Sequence, residues 1–211
     1  MIPTKEEWYR ALSERHGEDM QKRLATSTVA ICGLGGLGSN IAIALARAGI
    51  GKLILIDYDK VDLTNLHRQQ YKASQIGMKK VEALRENLLE IAPYVMTEIH
   101  FVRITEKNAI ELLKDSDIIC EAFDDAECKA MLVNLLLERM PSKYIITASG
   151  MAGMGSANTI QTRKVTKRLY ICGDELSDVQ EVGSLISSRV MVCAAHQAHQ
   201  ALRILAGKYE I

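Results

Sequence analysis

Four glycines in six residues, Gly33-Leu-Gly35-Gly36-Leu-Gly38, follow a short apolar run, and Asp57 ends the next apolar run about 19 residues later. Glycines without a Cβ let the backbone approach a phosphate, amides at a helix N-terminus point at it, and a strand-end carboxylate accepts hydrogen bonds from ribose hydroxyls. The spacing is therefore that of a nucleotide site. The plainer alternative is a tight turn and an unrelated strand-end aspartate; the flanking strand, helix and acid weigh against it.

Such chemistry needs a particular scaffold. Val29 to Cys32 reads as the strand before the turn. Ser39 to Ala48, with no charge before Arg47, reads as a buried helix stopped by Gly49 and Gly51, and Leu53 to Ile56 as a second buried strand. Val81, Leu84, Leu88 and Ile91 recur at helical spacing within Lys79 to Ile91, predicting a crossover helix. A strand over Thr97 to Val102, a short helix over Glu106 to Leu113 and a strand over Asp117 to Phe123 follow. The stripe Ala126, Ala130, Val133, Leu137 then predicts a helix, and Tyr144 to Ala148 a strand. This alternation implies an α/β, doubly wound, mostly parallel Rossmann-like sheet covered on both faces, with order 3-2-1-4 around the first strand. After Gly155 the rhythm changes: Asn158 to Val165 and Arg168 to Cys172 read as an antiparallel C-terminal extension, Asp174 to Ser188 as loop, and Arg189 to Leu205 as a closing helix. A polar helix from about Lys5 to Leu24 opens the chain. The 211 residues are expected to form one domain, 1–211.

The stretch Asp57-Tyr-Asp-Lys-Val-Asp-Leu-Thr-Asn65-Leu-His-Arg68-Gln69 departs from what a nicotinamide-dependent oxidoreductase needs after its acidic residue. With GLGGLGS it resembles the ThiF/MoeB/HesA superfamily of ubiquitin-activating type, whose members carry a GxGGLG turn, DxDxV and SNLxRQ. Gly77-Met-Lys-Lys80-Val-Glu-Ala is similar to the family's GxxKxxA, and Phe123-Asp124-Asp125 stands where members carry Thr-Asp-Asn. The likeness covers Ser27 to Ala148. With no CxxC pair for zinc, the chain looks most like the small ThiF-like adenylyltransferase branch.

That resemblance implies ATP and Mg as cofactors and adenylation of a carboxylate, with Gly33, Gly35, Gly36, Gly38, Asp57, Asn65, Arg68 and Lys80 holding the nucleotide, Arg68, Lys80 and Asp124 serving catalysis, and Asp124 holding the magnesium. The residue chemistry agrees. Carboxylate and triphosphate repel by about 4 kcal/mol per charge pair at ~4 Å in an effective dielectric near 20, so cations must converge. Arg68 offers a planar fork to phosphate oxygens and Asn65 a neutral donor. Lys80 lies in the first turn of its helix, where the dipole disfavours a cation unless an anion binds; its alternative is a solvated lysine beside Lys79. Asp124 follows the fourth strand, across the crevice from the glycine turn, and could hold magnesium; its alternative, shared with Asp125, is to cap the next helix.

In the resembled family the substrate is the C-terminal glycine of a small ubiquitin-like sulfur carrier, ThiS-like in thiamine biosynthesis, and the enzyme is a homodimer in which an N-terminal arginine reaches the partner's ATP. Arg10 is the candidate, Arg15 the next. Some members bond the carrier through a cysteine in the crossing loop, but Asp174 to Ser188 has none. Cys172 is the nearest thiol, and its apolar run suits a buried strand position better than a nucleophile. His196 and His199, three apart on the closing helix, could share a metal, but no third ligand is evident.

Composition sets outer bounds. Lys plus Arg and Asp plus Glu number 26 each, so no global field draws the chain to nucleic acid or anionic membrane. This weighs against a related enzyme type that activates a carboxylate on modified tRNA. No run reaches the roughly 18 apolar residues of a membrane span. An odd five cysteines, with Cys32 and Cys120 in apolar runs, fit a reducing cytoplasm.

Overall fold

A computed structural model describes residues 2–211. Its frame is one seven-stranded sheet of β1 (Thr28–Cys32), β2 (Lys52–Asp57), β3 (Met96–Phe101), β4 (Ile118–Glu121), β5 (Tyr144–Ala148), β6 (Gln161–Lys164) and β7 (Leu169–Gly173). Their order is β3-β2-β1-β4-β5-β7-β6. The central strands are parallel, as their almost uniformly apolar sequences require when both faces are covered. The expected 3-2-1-4 order is present.

Helices α3 (Gly36–Arg47), α4 (Lys80–Ile91) and α8 (Ser187–Leu205) cover one face, where Ile41, Leu45, Leu84, Leu88, Cys193 and Ile204 bury against Val29, Ile31, Leu53 and Leu55. Helices α5 (Ala109–Leu113) and α6 (Ala126–Arg139) cover the other, with Leu113, Leu132 and Leu136 against Ala30, Cys32, Ile54 and Ile119. Each fully buried Leu or Ile contributes roughly 1.5–3 kcal/mol of transfer free energy.

Four expectations are corrected. The opening helix is two, α1 (Lys5–His16) and α2 (Glu18–Thr26), because Gly17 at φ +91 breaks the turn between them. Helix α6 exists, but its stripe Ala126, Ala130 and Leu137 faces solvent, and Leu132 and Leu136 are the buried pair. Small alanines are tolerated at a surface, and the core takes Leu132 and Leu136 instead, with Val133 of the stripe partly buried beside them. Only β6 is antiparallel: β7 continues the parallel sheet beside β5, and β6 folds back along it. The loop over Asp174 to Ser188 holds one helical turn, α7 (Val179–Val182), which Asp178 caps by accepting from Gln180 N at 2.8 Å. No helix among the described residues is long and apolar enough to cross a membrane.

Candidate active site

The register sets the carboxyl ends of β1, β2 and β4 side by side, Cys32 opposite Ile56 on one flank and Glu121 on the other. The glycine turn, Asp57 and Asp124 therefore emerge at one edge of the sheet, at the switch point between β1 and β4. Close packing explains two glycines. A Cβ on Gly33, which stands at φ +92, would lie 2.9 Å from the Ala122 carbonyl oxygen, and one on Gly38 would lie 1.8 Å from that of Gly33. A Cβ on Gly35 would meet only Gln69 Nε2, at 3.8 Å, and no side chain caps the first amides of α3. Those donors are left for a ligand, with the positive end of the helix behind them.

Leu34 is pinned from both sides. Its amide donates to Asp57 Oδ2 at 2.6 Å, and its carbonyl accepts from the Tyr71 hydroxyl at 2.7 Å. Asp57 Oδ1 accepts from Asp59 N at 2.7 Å. Burial pushes the Asp57 carboxyl above its ordinary range, against the pull of Lys80 and those two amides. Asp57 therefore fixes the turn as well as offering a carboxylate to the crevice.

The segment after β2 turns back on itself: Val61 N donates to Met78 O at 2.8 Å and Gly77 N to Val61 O at 2.9 Å. This closure puts Asp59 beside the first residue of α4. Lys80 N donates to Asp59 O at 3.0 Å and Lys80 Nζ to Asp59 Oδ2 at 2.8 Å. Within the same segment Asn65 Oδ1 accepts from Gln69 Nε2 at 2.8 Å and from Arg68 Nη2 at 3.4 Å. A Cβ on Gly36 would lie 3.3 Å from Arg68 Cγ, so the arginine stem packs directly on the glycine turn. Burial lowers the Arg68 guanidinium from its ordinary value, and Asp124 pulls it back up, which brings those two charges into one electrostatic neighbourhood. Asp125, not Asp124, caps α6, accepting from Cys128 N at 2.7 Å, and Asp124 stands exposed at the crevice.

The structure thus gathers Gly33, Gly35, Gly36, Gly38, Asp57, Asn65, Arg68, Lys80 and Asp124 at one edge. The others fall elsewhere. Cys172 is fully buried in β7, and burial pushes its thiol up to about 12 despite a hydrogen bond with Thr162. Arg10 is exposed on α1, which with α2 packs at the opposite end of the sheet, near Gly49 and the start of β2. His196 pairs with Thr162 Oγ1 at 2.9 Å, His199 is exposed, and no group of three metal-ligating side chains occurs among the described residues.

Sequence reasoning missed several supports. Gln69, 5% exposed, has an Oε1 with no partner among the described residues, while its Nε2 is the atom that faces Gly35. Gln70 N and Nε2 tie the segment to α3 through Ser39 Oγ at 3.1 Å and Asn40 Oδ1 at 2.8 Å. The SNLxRQ-like spacing reaches Gln69, and nothing in it marks Gln70. Glu121, wholly buried at the end of β4, accepts from Phe123 N at 2.7 Å, Lys129 Nζ at 2.5 Å and the Thr147 hydroxyl. Arg189, 5% exposed, donates to the Gly155 and Ser156 carbonyls, Thr159 Oγ1 and Asp174 Oδ2, locking the start of the crossing loop. Nothing in a linear pattern marks a glutamate or arginine as buried. A hollow of about 450 Å³ opens beside this lock, lined by Met154, Gly155, Leu176, Ser177, Val182 and Arg189.

The α3 amides without a side-chain cap and the Arg68 guanidinium packed on the glycine turn suit a phosphate-bearing nucleotide. The sequence profile of the ThiF family matches residues 9–211. Adenylyltransferase and sulfurtransferase MOCS3 of Caenorhabditis briggsae is 38% identical over 122 residues, 57% of this chain and 30% of that protein. Ubiquitin-like modifier-activating enzyme 5 of the same organism is 33% identical over 186 residues, 82% of this chain and 42% of that protein. The chain spans less than half the length of either relative. Among solved structures, the tRNA N6-threonylcarbamoyladenosine dehydratase TcdA of E. coli, in complex with AMP, superposes with a TM-score of 0.86 at 21% identity, covering 99% of this chain and 98% of that one.

Proposed function

The chain belongs to the ThiF family, and on that premise we propose that it is an adenylyltransferase that uses ATP to activate the C-terminal glycine carboxylate of a small ubiquitin-like, ThiS-like sulfur carrier. What carries the reading is the convergence of Arg68, packed on the glycine turn and feeling Asp124, with Lys80 and Asp57 at the same edge.

In the reaction a carrier carboxylate oxygen attacks the α-phosphorus of ATP. The bond from that phosphorus to the bridging oxygen breaks, pyrophosphate leaves with the electron pair, and an acyl-adenylate forms. Two anions must meet, so the site's work is electrostatic. The α3 amides receive phosphate oxygens, Arg68 presents its fork to them with Asn65 Oδ1 orienting it, and Lys80 exchanges Asp59 for phosphate. Asp57 accepts from the ribose hydroxyls. Asp124 would hold magnesium, which offsets phosphate charge when bound. The hollow beside the crossing loop is the approach this reading gives to a flexible carrier tail. Because Arg10 lies at the far end of its own chain's sheet, an N-terminal arginine at the phosphates would come from a second copy, in a homodimer.

The test is ATP–pyrophosphate exchange dependent on a carrier ending in Gly-Gly. Exchange with the native chain, reduced at least ~100-fold in Arg68→Ala and Lys80→Ala, is expected. Stabilisation by NAD and not by ATP–magnesium, or exchange driven by tRNA and not by the carrier, would overturn the reading.

A further inference from the structure

We propose that a hollow at the amino ends of β1, β4 and β5 is a second binding site, separate from the nucleotide edge, for a small organic anion: a phosphate monoester or carboxylate with an apolar body.

The hollow has a volume of about 470 Å³, within the roughly 300–1,000 Å³ of ordinary small-molecule sites. Arg23 reaches it from the last turn of α2, Ile118 begins β4, Lys143 and Tyr144 lead into β5, and Ile204 and Leu205 close α8. The parallel strands put these positions at one end of the sheet and the glycine turn, Asp57 and Asp124 at the other. A ligand held here touches neither the α3 amides nor Arg68.

The charges point to an anion. On other surfaces lysines and arginines sit against carboxylates, as Lys72 does with Glu90 and Arg163 with Glu175. Around this hollow they do not. Among the described residues Lys143 Nζ donates to the Ser116 carbonyl at 2.6 Å, Arg168 to the Ser142 carbonyl, and the Arg23 side chain to nothing; none of the three has a carboxylate partner. The one carboxylate in the lining, Asp117, already accepts from Thr28 N at 2.8 Å. Two cations against one engaged carboxylate leave the hollow positive, and the Arg168 guanidinium, 4.7 Å from the centre of the Tyr144 ring, adds a third charge at its rim.

Helix ends account for part of this and no more. Arg23 stands where the dipole of α2 attracts a cation, and its Nη1 comes within 3.4 Å of where a Gly207 Cβ would lie, just past the end of α8. Lys143 and Arg168 stand in the turns before β5 and β7, outside any helix. The wall also includes Ile118, fully buried, and Ile204, nearly so. A planar guanidinium fork and an ammonium suit the oxygens of a phosphate or carboxylate, and the isoleucines suit a carbon body.

The experiment is calorimetric titration of phenyl phosphate, benzoate and neutral benzyl alcohol into the native chain, Arg23→Gln, Lys143→Gln and Arg68→Ala. Arg23 is exposed and makes no side-chain hydrogen bond, so its variant should fold and melt with the native chain. Both anions should bind with a Kd of about 1 mM or tighter, and benzyl alcohol at least ~10-fold more weakly. The tighter of the two anions names the source, phosphate monoester or carboxylate. Each substitution in the hollow should weaken both anions at least ~10-fold, the scale of one charged hydrogen bond, while Arg68→Ala leaves them unchanged. Anion binding lost in Arg68→Ala and retained in Arg23→Gln and Lys143→Gln would put the anion at the nucleotide edge and overturn the proposal. So would benzyl alcohol bound as tightly as the anions, or no anion binding at all. None of these readouts involves ATP, so failure of the adenylation reading and failure of this site are distinguishable.

Discussion

Lys80 Nζ lies 2.8 Å from Asp59 Oδ2, and the lysine side chain is only 7% exposed although it sits at the unfavourable, positive end of α4. A carboxylate from the preceding loop therefore holds the lysine within the chain itself. Under the proposed function the lysine has two competing anions, one built in and one brought by the substrate.

That competition predicts opposite effects for one substitution. In Asp59→Asn the buried ammonium loses its partner, which should cost roughly 1–3 kcal/mol of stability. The variant should melt lower than the native chain without nucleotide, yet gain more from ATP–magnesium, because phosphate no longer displaces a bound carboxylate. Thermal melting with and without ATP checks both halves. An ATP-induced shift no larger than the native one would show that Asp59 and the triphosphate do not compete.

The Asp174–Arg189 lock carries a pH signature. Burial pushes the Asp174 carboxyl up, but the Ser177 and Leu176 amides, the Ser177 hydroxyl and Arg189 more than offset this and hold it at about 2. A folded pKa below the unfolded one contributes stability that is fully present above pH 4 and is lost as pH falls toward 2. Asp174→Asn should flatten this part of the acid limb in melts between pH 4 and pH 2. At neutral pH it should also lower the midpoint, since Arg189 is left buried with a neutral partner.

Glu121 is predicted to act on Asp124 through the turn between them, since its Oε1 accepts from Phe123 N. Glu121→Gln keeps an acceptor for that amide and should retain exchange activity within a few-fold. Glu121→Ala removes it and strands Lys129 and Thr147, at a cost on the order of 3 kcal/mol. The magnesium concentration needed for half-maximal exchange should rise in the alanine variant; equal magnesium dependence in both would detach Glu121 from the site.

Cys172 should be inert. A fully buried thiol held at about 12 is not a thiolate at neutral pH. Cys172→Ser should leave adenylation intact, and non-reducing gels of the chain with its carrier should show no adduct. A thiol-sensitive adduct lost in Cys172→Ser would make that residue the covalent site.

The parallel frame and the nucleotide edge were legible in the sequence because both depend on short-range patterns. Apolar runs alternating with helical stripes require a covered parallel sheet, and glycines at fixed offsets are needed wherever a backbone must approach another group. Gly33 against Ala122, and Gly38 against Gly33, are such approaches. Tertiary structure decided the rest, because those choices depend on what lies across the fold. Whether Asp124 or Asp125 caps α6 is undetermined by sequence, since either side chain can accept from the first turn; the turn after β4 gives the cap to Asp125 and leaves Asp124 at the crevice. The direction of β7 could not be read from its apolar residues, which suit parallel and antiparallel neighbours equally; in the fold it runs parallel to β5, with β6 turned back along its far side. Glu121 and Arg189 look like surface residues in a linear reading, because a charge is buried only where distant groups converge to satisfy it, and those groups come from β5 and α6 for one and from the 155–159 and 174 loops for the other.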